Sequence, residues 1–201
     1  IRVINEPDVD KAAYIAVDLI RSGEAQVYMK GLINSSNYLR AALNADHGLR
    51  KGGILSMMAG HELPDEEKLL FVTDGGVNIA PSLEEKKQIL MNALGALIAM
   101  GVEKPKVAVL AANELVNPKM PVTVEAKAIA DMAAAGEFPP CVVEGPMAID
   151  VAASARAAAH KGIKSEVAGD ADLLLAPDIE AGNILGKTLV IYGRAKSAGV
   201  I

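Results

Sequence analysis

The 201-residue chain is 51% hydrophobic but only 3% aromatic and has no tryptophan, so its core must come from Ala, Val, Leu, Ile and Met, which suits helices packed on buried parallel strands. A net charge of −5 without any Lys/Arg run speaks against nucleic acid and anionic membrane as partners, and no apolar run reaches the roughly 20 residues of a membrane span. The single cysteine, Cys141, excludes a disulfide framework and fits a reducing, cytoplasmic setting.

In chain order, residues 11–21 place Ala12, Ile15, Ala16 and Leu19 on one helical face, and Ser22-Gly23 stops that helix. Residues 25–29 read as a short strand ending at Lys30-Gly31. Ser35 or Ser36 caps the next helix. Residues 69–73 form a buried strand running into Asp74. Residues 75–82 are rich in structure breakers and suit a domain crossover. Ser82 with Glu85 makes a capping box for a helix that runs to about Met100 and ends at Gly101. A strand over 106–111, a helix over 122–135, a strand over 141–143, a helix over 152–160 and a strand over 173–175 follow. Residues 188–192 read as part of a helix that starts near Gly182-Asn183. The chain opens on Ile1 and stops on the strand-like run A-G-V-I, so flanking sequence is expected at both ends, with no signal peptide.

Such alternation predicts a parallel sheet with helices on both faces, whose ligands bind beyond the carboxyl ends of the strands. Five expected strand ends carry a Gly or Pro beside a polar group: Lys30-Gly31; Asp74-Gly75-Gly76 with Asn78; Asn113-Glu114 leading to Lys119; Glu144-Gly145-Pro146 with Asp150; and Pro177-Asp178 with Gly182-Asn183. Together they outline a polar cleft. Each has a plainer reading beside it: Asp74 and Asp178 suit helix caps or turns, and Asn78 and Asn183 suit turns. His47, His61 and His160 show no metal spacing and read as surface residues, so no metal site is expected. Cys141 opens the apolar run C-V-V and reads as a buried structural thiol.

The stretches M-K-G-L-I (29–33), G-L-R-K-G (48–52), V-T-D-G-G-V-N-I-A-P (72–81), N-P-K-M-P (117–121), V-E-G-P-M-A-I-D (143–150) and V-A-G-D-A-D-L-L-L-A-P-D-I-E-A-G-N-I-L (167–185) occur in order along nearly the whole chain. Their order and spelling resemble the phosphate acetyl/butyryltransferase family, and the N-P-K-M-P and M-K-G forms are closer to its butyryltransferase branch. The resemblance implies two parallel-sheet α/β domains of the isocitrate/isopropylmalate dehydrogenase-like fold with an interdomain cleft, here 1–76 and 77–201. It also implies a homodimer or higher homo-oligomer, and short-chain acyl transfer between coenzyme A and inorganic phosphate, both as substrates, with no bound cofactor. Two positions depart from the family pattern. Gly186 stands where a bulky residue is usual after G-N-x-L, and Leu55-Ser56-Met57 stands where L-S-H is usual.

That reaction sets three tasks: holding phosphate, stabilising a tetrahedral oxyanion, and accepting the thiol proton. Lys30, Lys119 and Arg50, with Gly31, are candidates for phosphate or coenzyme A. Asn183 or Asn78, with backbone N–H groups near Gly182, are candidates for the oxyanion, and Asp150 and Asp178 for the base. Asp74, Gly145, Pro146 and Pro177 line the expected cleft. The alternatives are a non-catalytic coenzyme A-binding or dimerisation module of the same fold, and an acyl carrier protein-dependent transferase. The latter would need a basic docking patch, which the sequence lacks.

Overall fold

The structure, a computed structural model, describes residues 2–50, 52–64 and 66–201. Lys51, part of the G-L-R-K-G motif, lies outside the described residues, as do Ile1 and Asp65. Two compact units are present, Ile1–Gly53 and Ile54–Ile201.

The first unit holds two helices, α1 (Val9–Arg21) and α2 (Ser35–Ala42). Asp8 caps α1, its carboxylate accepting from the backbone N–H groups of Asp10 and Lys11, which satisfies donors that a helix start leaves free. The cap expected at Ser35 or Ser36 falls instead on Asn34, which makes no side-chain capping bond, and Ser35 is already helical. Ala13, Val17 and Ala41 form a small core with Tyr14, Tyr28, Ile33 and Leu49 against it. The Tyr28 and Tyr38 rings stack at 4.2 Å, and each hydroxyl donates to the other residue's backbone carbonyl, at 3.3 and 2.7 Å. The strand expected over 25–29 does not form. No neighbouring strand pairs with it among the described residues, and Val27 and Met29 remain 78% and 86% exposed.

The second unit is built on one six-stranded sheet: β1 (Met58–Glu62), β2 (Leu70–Thr73), β3 (Lys106–Leu110), β4 (Val142–Met147), β5 (Leu173–Leu175) and β6 (Lys196–Val200). Their order is β4-β3-β5-β2-β1-β6. The first four of that order run parallel, while β1 pairs antiparallel with β2 and β6. Alternate residues of each strand feed opposite faces. Phe71, Val107, Val109, Leu173 and Leu175 pack with Ile89, Leu90, Leu94, Leu97 and Ile129; these come from α3 (Leu83–Ala99) and α4 (Pro121–Ala134). Val72, Ala108, Leu110 and Leu174 face the other way, with Val151, Ala158, Leu185 and Leu189, from α5 (Ile149–Ala153), α6 (Ala155–His160) and α7 (Ile179–Ile191). Helices on both faces explain why the central parallel strands β3, β5 and β2 are largely apolar.

The Ser82–Glu85 capping box forms as expected, with Glu85 accepting from the Ser82 N–H at 2.7 Å. Gly101 ends α3 at φ +96°, a conformation that suits glycine. Residues 188–192 are helical to Ile191, as the final turn of α7. The single helix expected over 152–160 is two helices, because Ser154 leaves helical geometry and caps α6 through the Ala157 N–H. β1 is an addition to the expected elements. The expected change of domain after residue 76 falls inside this unit, between β2 and α3. Strands from both sides of it share the sheet, because β5 inserts between β3 and β2.

Candidate active site

β2 and β5 are neighbours, so the loops that leave their carboxyl ends meet. After β2 comes Asp74, 3% exposed. One carboxylate oxygen accepts from the N–H groups of Gly76 and Val77 at 2.8 and 3.0 Å, and the other from the Asn78 backbone and side chain at 3.2 and 2.6 Å. A buried carboxylate needs such partners, so Asp74 organises the 74–78 turn from within. The Asn78 amide also donates to the Leu55 carbonyl at 2.9 Å. Both of its N–H bonds therefore have acceptors, and Asn78 is a strut here, not a free oxyanion donor.

After β5 comes Pro177-Asp178, and α7 begins at once. Asp178 is its N-cap, accepting from the Ala181 N–H at 2.8 Å. The Ile179 N–H donates to the Ile79 carbonyl at 3.0 Å, and the Gly182 N–H to the Asp178 carbonyl at 3.1 Å. The helix start expected near Gly182-Asn183 thus lies earlier, and most of the first-turn N–H groups expected to face an anion already have partners. Gly182 is where α7 crosses the other loop: a Cβ there would sit 2.6 Å from the Asp74 carbonyl oxygen, and one on Gly75 would sit 2.7 Å from the Gly182 carbonyl carbon. Glycine at both positions brings backbone against backbone. The Asn183 side chain then donates to the Gly75 carbonyl at 3.0 Å. That bond orients the amide and leaves its second N–H directed by a fixed geometry.

The remaining candidates separate into three places. Asp150 lies beyond β4 and shares Lys161 with Glu114, each pair at 3.0 Å. The hydrogen bond from Lys161 holds the Asp150 carboxyl below the usual aspartate range, which makes it a weaker proton acceptor. Gly145 and Pro146 lie within β4 and not beyond it, since the strand continues to Met147. A Cβ on Gly145 would stand 2.7 Å from the Val109 Cβ, so that glycine serves strand packing. Lys119 is exposed in the turn before α4, where Asn117 accepts from its backbone N–H at 2.9 Å. Lys30, Gly31 and Arg50 belong to the first unit and are exposed. Lys30 does not end a strand, and its ammonium donates to the Ile33 carbonyl at 3.2 Å.

Sequence reasoning missed the residues beneath Asn183. A cavity of about 510 Å³ opens between α7 and the β1–β6 side of the sheet, lined by Met57, Ala59, Gly186, Val190 and Ser197, among others. His61, expected at the surface, faces this cavity at 2% exposure, and neither ring nitrogen has a partner. Burial pushes its pKa below the ordinary histidine value. Lys187 also lines the cavity. It follows Asn183 at the i+4 helical spacing, a signal that was present in the sequence. No helix among the described residues is long and apolar enough to cross a membrane, and no three His, Cys, Asp or Glu residues among them gather as metal ligands.

The model of the phosphate acetyl/butaryl transferase family matches residues 2–201. A phosphate butyryltransferase of Clostridium acetobutylicum is 45% identical over 99% of this chain and 66% of its own length. A probable phosphate butyryltransferase of Bacillus subtilis is 47% identical over 100% of this chain and 67% of its own length. The chain therefore spans about two thirds of the length of these curated relatives. The crystal structure of a branched-chain phosphotransacylase from Enterococcus faecalis superposes with a TM-score of 0.90 at 38% identity, covering 98% of this chain and 70% of that one.

Proposed function

The chain belongs to the phosphate acetyl/butaryl transferase family, and on that premise we propose that the protein containing it transfers a short acyl group, butyryl or similar, between coenzyme A and inorganic phosphate. The observation that carries the reading to particular atoms is the bond from the Asn183 amide to the Gly75 carbonyl, 3.0 Å long, at the joined carboxyl ends of β2 and β5. It fixes a neutral donor at the edge where an α/β sheet receives its ligands.

The coenzyme A thiolate attacks the acyl phosphate carbonyl directly, and in the reverse reaction a phosphate oxygen attacks the thioester carbonyl. In that reverse reaction the oxygen–carbon bond forms, the carbon–sulfur bond breaks, and the phosphate proton ends on the departing thiolate. No covalent enzyme intermediate is required, since both substrates are already activated or nucleophilic. Asn183 stabilises the tetrahedral oxyanion. Lys30, Arg50 and Lys119 are the proposed phosphate or coenzyme A contacts. Asp178 and Asp150 are the visible carboxylates for proton transfer, with Asp178 nearer to Asn183 in the chain and Asp150 restrained by Lys161. The same proposal includes a two-domain organisation like that of the isocitrate/isopropylmalate dehydrogenases, a cytoplasmic homodimer or larger homo-oligomer, and no bound cofactor or metal.

The test is loss of thioester absorbance from acyl-CoAs of acetyl to hexanoyl length, with phosphate and without added metal, using the full-length protein. Phosphate-dependent turnover that is highest near butyryl is expected. No turnover of any of them by folded protein would overturn the reading.

A further inference from the structure

We infer that the groove beneath Asn183 selects acyl chains that carry a hydroxyl at their far end, with His61 as the residue that recognises it. This rests on the acyl transfer proposed above and names the substrate class of that site.

The groove starts at the proposed reacting centre. Gly75, Gly182 and Asn183 line its upper end, and His61, Gly186 and Val190 lie further along. Gly186 follows Asn183 by three helical residues, which is about 4.5 Å along the axis. A four-carbon chain measured from its carbonyl carbon to a terminal oxygen is about 5 Å long when extended. A chain held at Asn183 by its carbonyl therefore brings its end level with Gly186.

Gly186 packs on the buried His61 ring with backbone alone and sets no side chain against it. A Cβ at Gly186 would lie 3.7 Å from both Cε1 and Nε2 of that ring, in ordinary contact, and any longer side chain would extend across it. Both His61 nitrogens are buried without a partner. Its neighbours on this face do not supply one: Val72 and Ala59 are apolar, and Ser197, directly across the β1–β6 pairing, makes no bond to it.

The chemistry of the ring chooses the ligand. Burial favours the neutral imidazole, which has one N–H donor and one acceptor nitrogen. A hydroxyl has one hydrogen to give and lone pairs to accept with, so it can pair with whichever one ring nitrogen faces it, as donor or as acceptor, in either tautomer. A plain alkyl end leaves both nitrogens unpaired, which costs free energy. A carboxylate end brings acceptors only, and one neutral imidazole offers it a single donor.

The experiment compares kcat/KM for 4-hydroxybutyryl-CoA and butyryl-CoA in the full-length protein, with phosphate-free controls to subtract spontaneous ring closure of the hydroxyacyl thioester. The hydroxyacyl substrate should be preferred by about fivefold to tenfold, the worth of one well-made hydrogen bond. His61→Phe should abolish that preference through KM, and His61→Gln, which keeps a donor and an acceptor, should retain most of it. Gly186→Leu should abolish it with His61 still in place, and decides the matter if His61→Phe does not fold. Turnover of butyryl-CoA without hydroxyacyl preference overturns this inference alone. A preference that survives both His61→Phe and Gly186→Leu also overturns it. No turnover of either substrate overturns the function on which it rests.

Discussion

Asp178 and Asn183 both lie near the start of α7 and take different partners. The sequence allows either to cap α7, because both side chains favour that position. The structure gives the cap to Asp178, through the Ala181 N–H, and binds Asn183 across to Gly75 from inside the helix. Substitutions separate the two roles. Asp178→Ala should lower unfolding free energy by roughly 0.5–2 kcal/mol, as lost caps do. Asn183→Ala should lower kcat by about 10²–10³, as loss of an oxyanion donor does, with a smaller change in melting temperature. Steady-state kinetics and thermal melts on both variants check this. An Asn183→Ala enzyme within a few-fold of wild type in kcat would remove Asn183 from the chemistry. Asn78 was an equal candidate in the sequence, and only its bonds to Asp74 and Leu55 show that its amide is engaged. Side-chain partners drawn from distant loops are not encoded in local pattern, so this distinction could not be read beforehand.

Among elements, the apolar strands β2, β3 and β5 were legible because they are short apolar runs covered on both faces. β1 was not legible. Its sequence, M-A-G-H-E, has no β-branched residue, and its burial depends on β2 and β6 beside it. Missing β1 hid His61 and the cavity with it. The opposite error occurred at residues 25–29, where strand-like residues find no partner strand. At the amino ends of β2, β3 and β5, Lys68 and Lys106 both contact Asp170, and Lys68 also reaches Asp172. Lys106 first and Lys68 second hold the Asp170 carboxyl at about 2. A folded-state value below the unfolded one of about 3.9 means that this contribution is fully present above about pH 4 and is lost as pH falls toward 2. The group is half-exposed, so the effect is modest. Urea midpoints of wild type and Asp170→Asn should differ at pH 7 and converge near pH 2. A gap that stays constant over that range would show that the pair does not contribute.

At the scale of the whole molecule, the family was legible because its motifs sit in loops whose order is kept along the chain, and the family model matches residues 2–201. The chain divides into its two compact units between Gly53 and Ile54, and the breaker-rich stretch 75–82 lies within the second of them. A turn rich in Gly, Asn and Pro marks a tight loop as readily as a boundary, and here Asp74 ties that turn internally. The first unit carries Lys30, which the proposal assigns to phosphate. Lys30→Ala should raise the apparent KM for phosphate more than that for the acyl-CoA, and initial rates with each substrate varied in turn measure it. A change in thermal stability alone would make Lys30 structural. The strand order has a kinetic consequence. β5 separates β3 from β2, and its register partners on β2, such as Val72 with Leu174, are roughly a hundred positions away in the chain. The two earlier strands have nothing between them until residues 173–175 arrive, so the middle of the sheet cannot close before they do. The same closing step brings α7 to the end of β2 and lets Asn183 reach Gly75. If Asn183 acts as proposed, activity recovered on refolding cannot run ahead of the completed sheet.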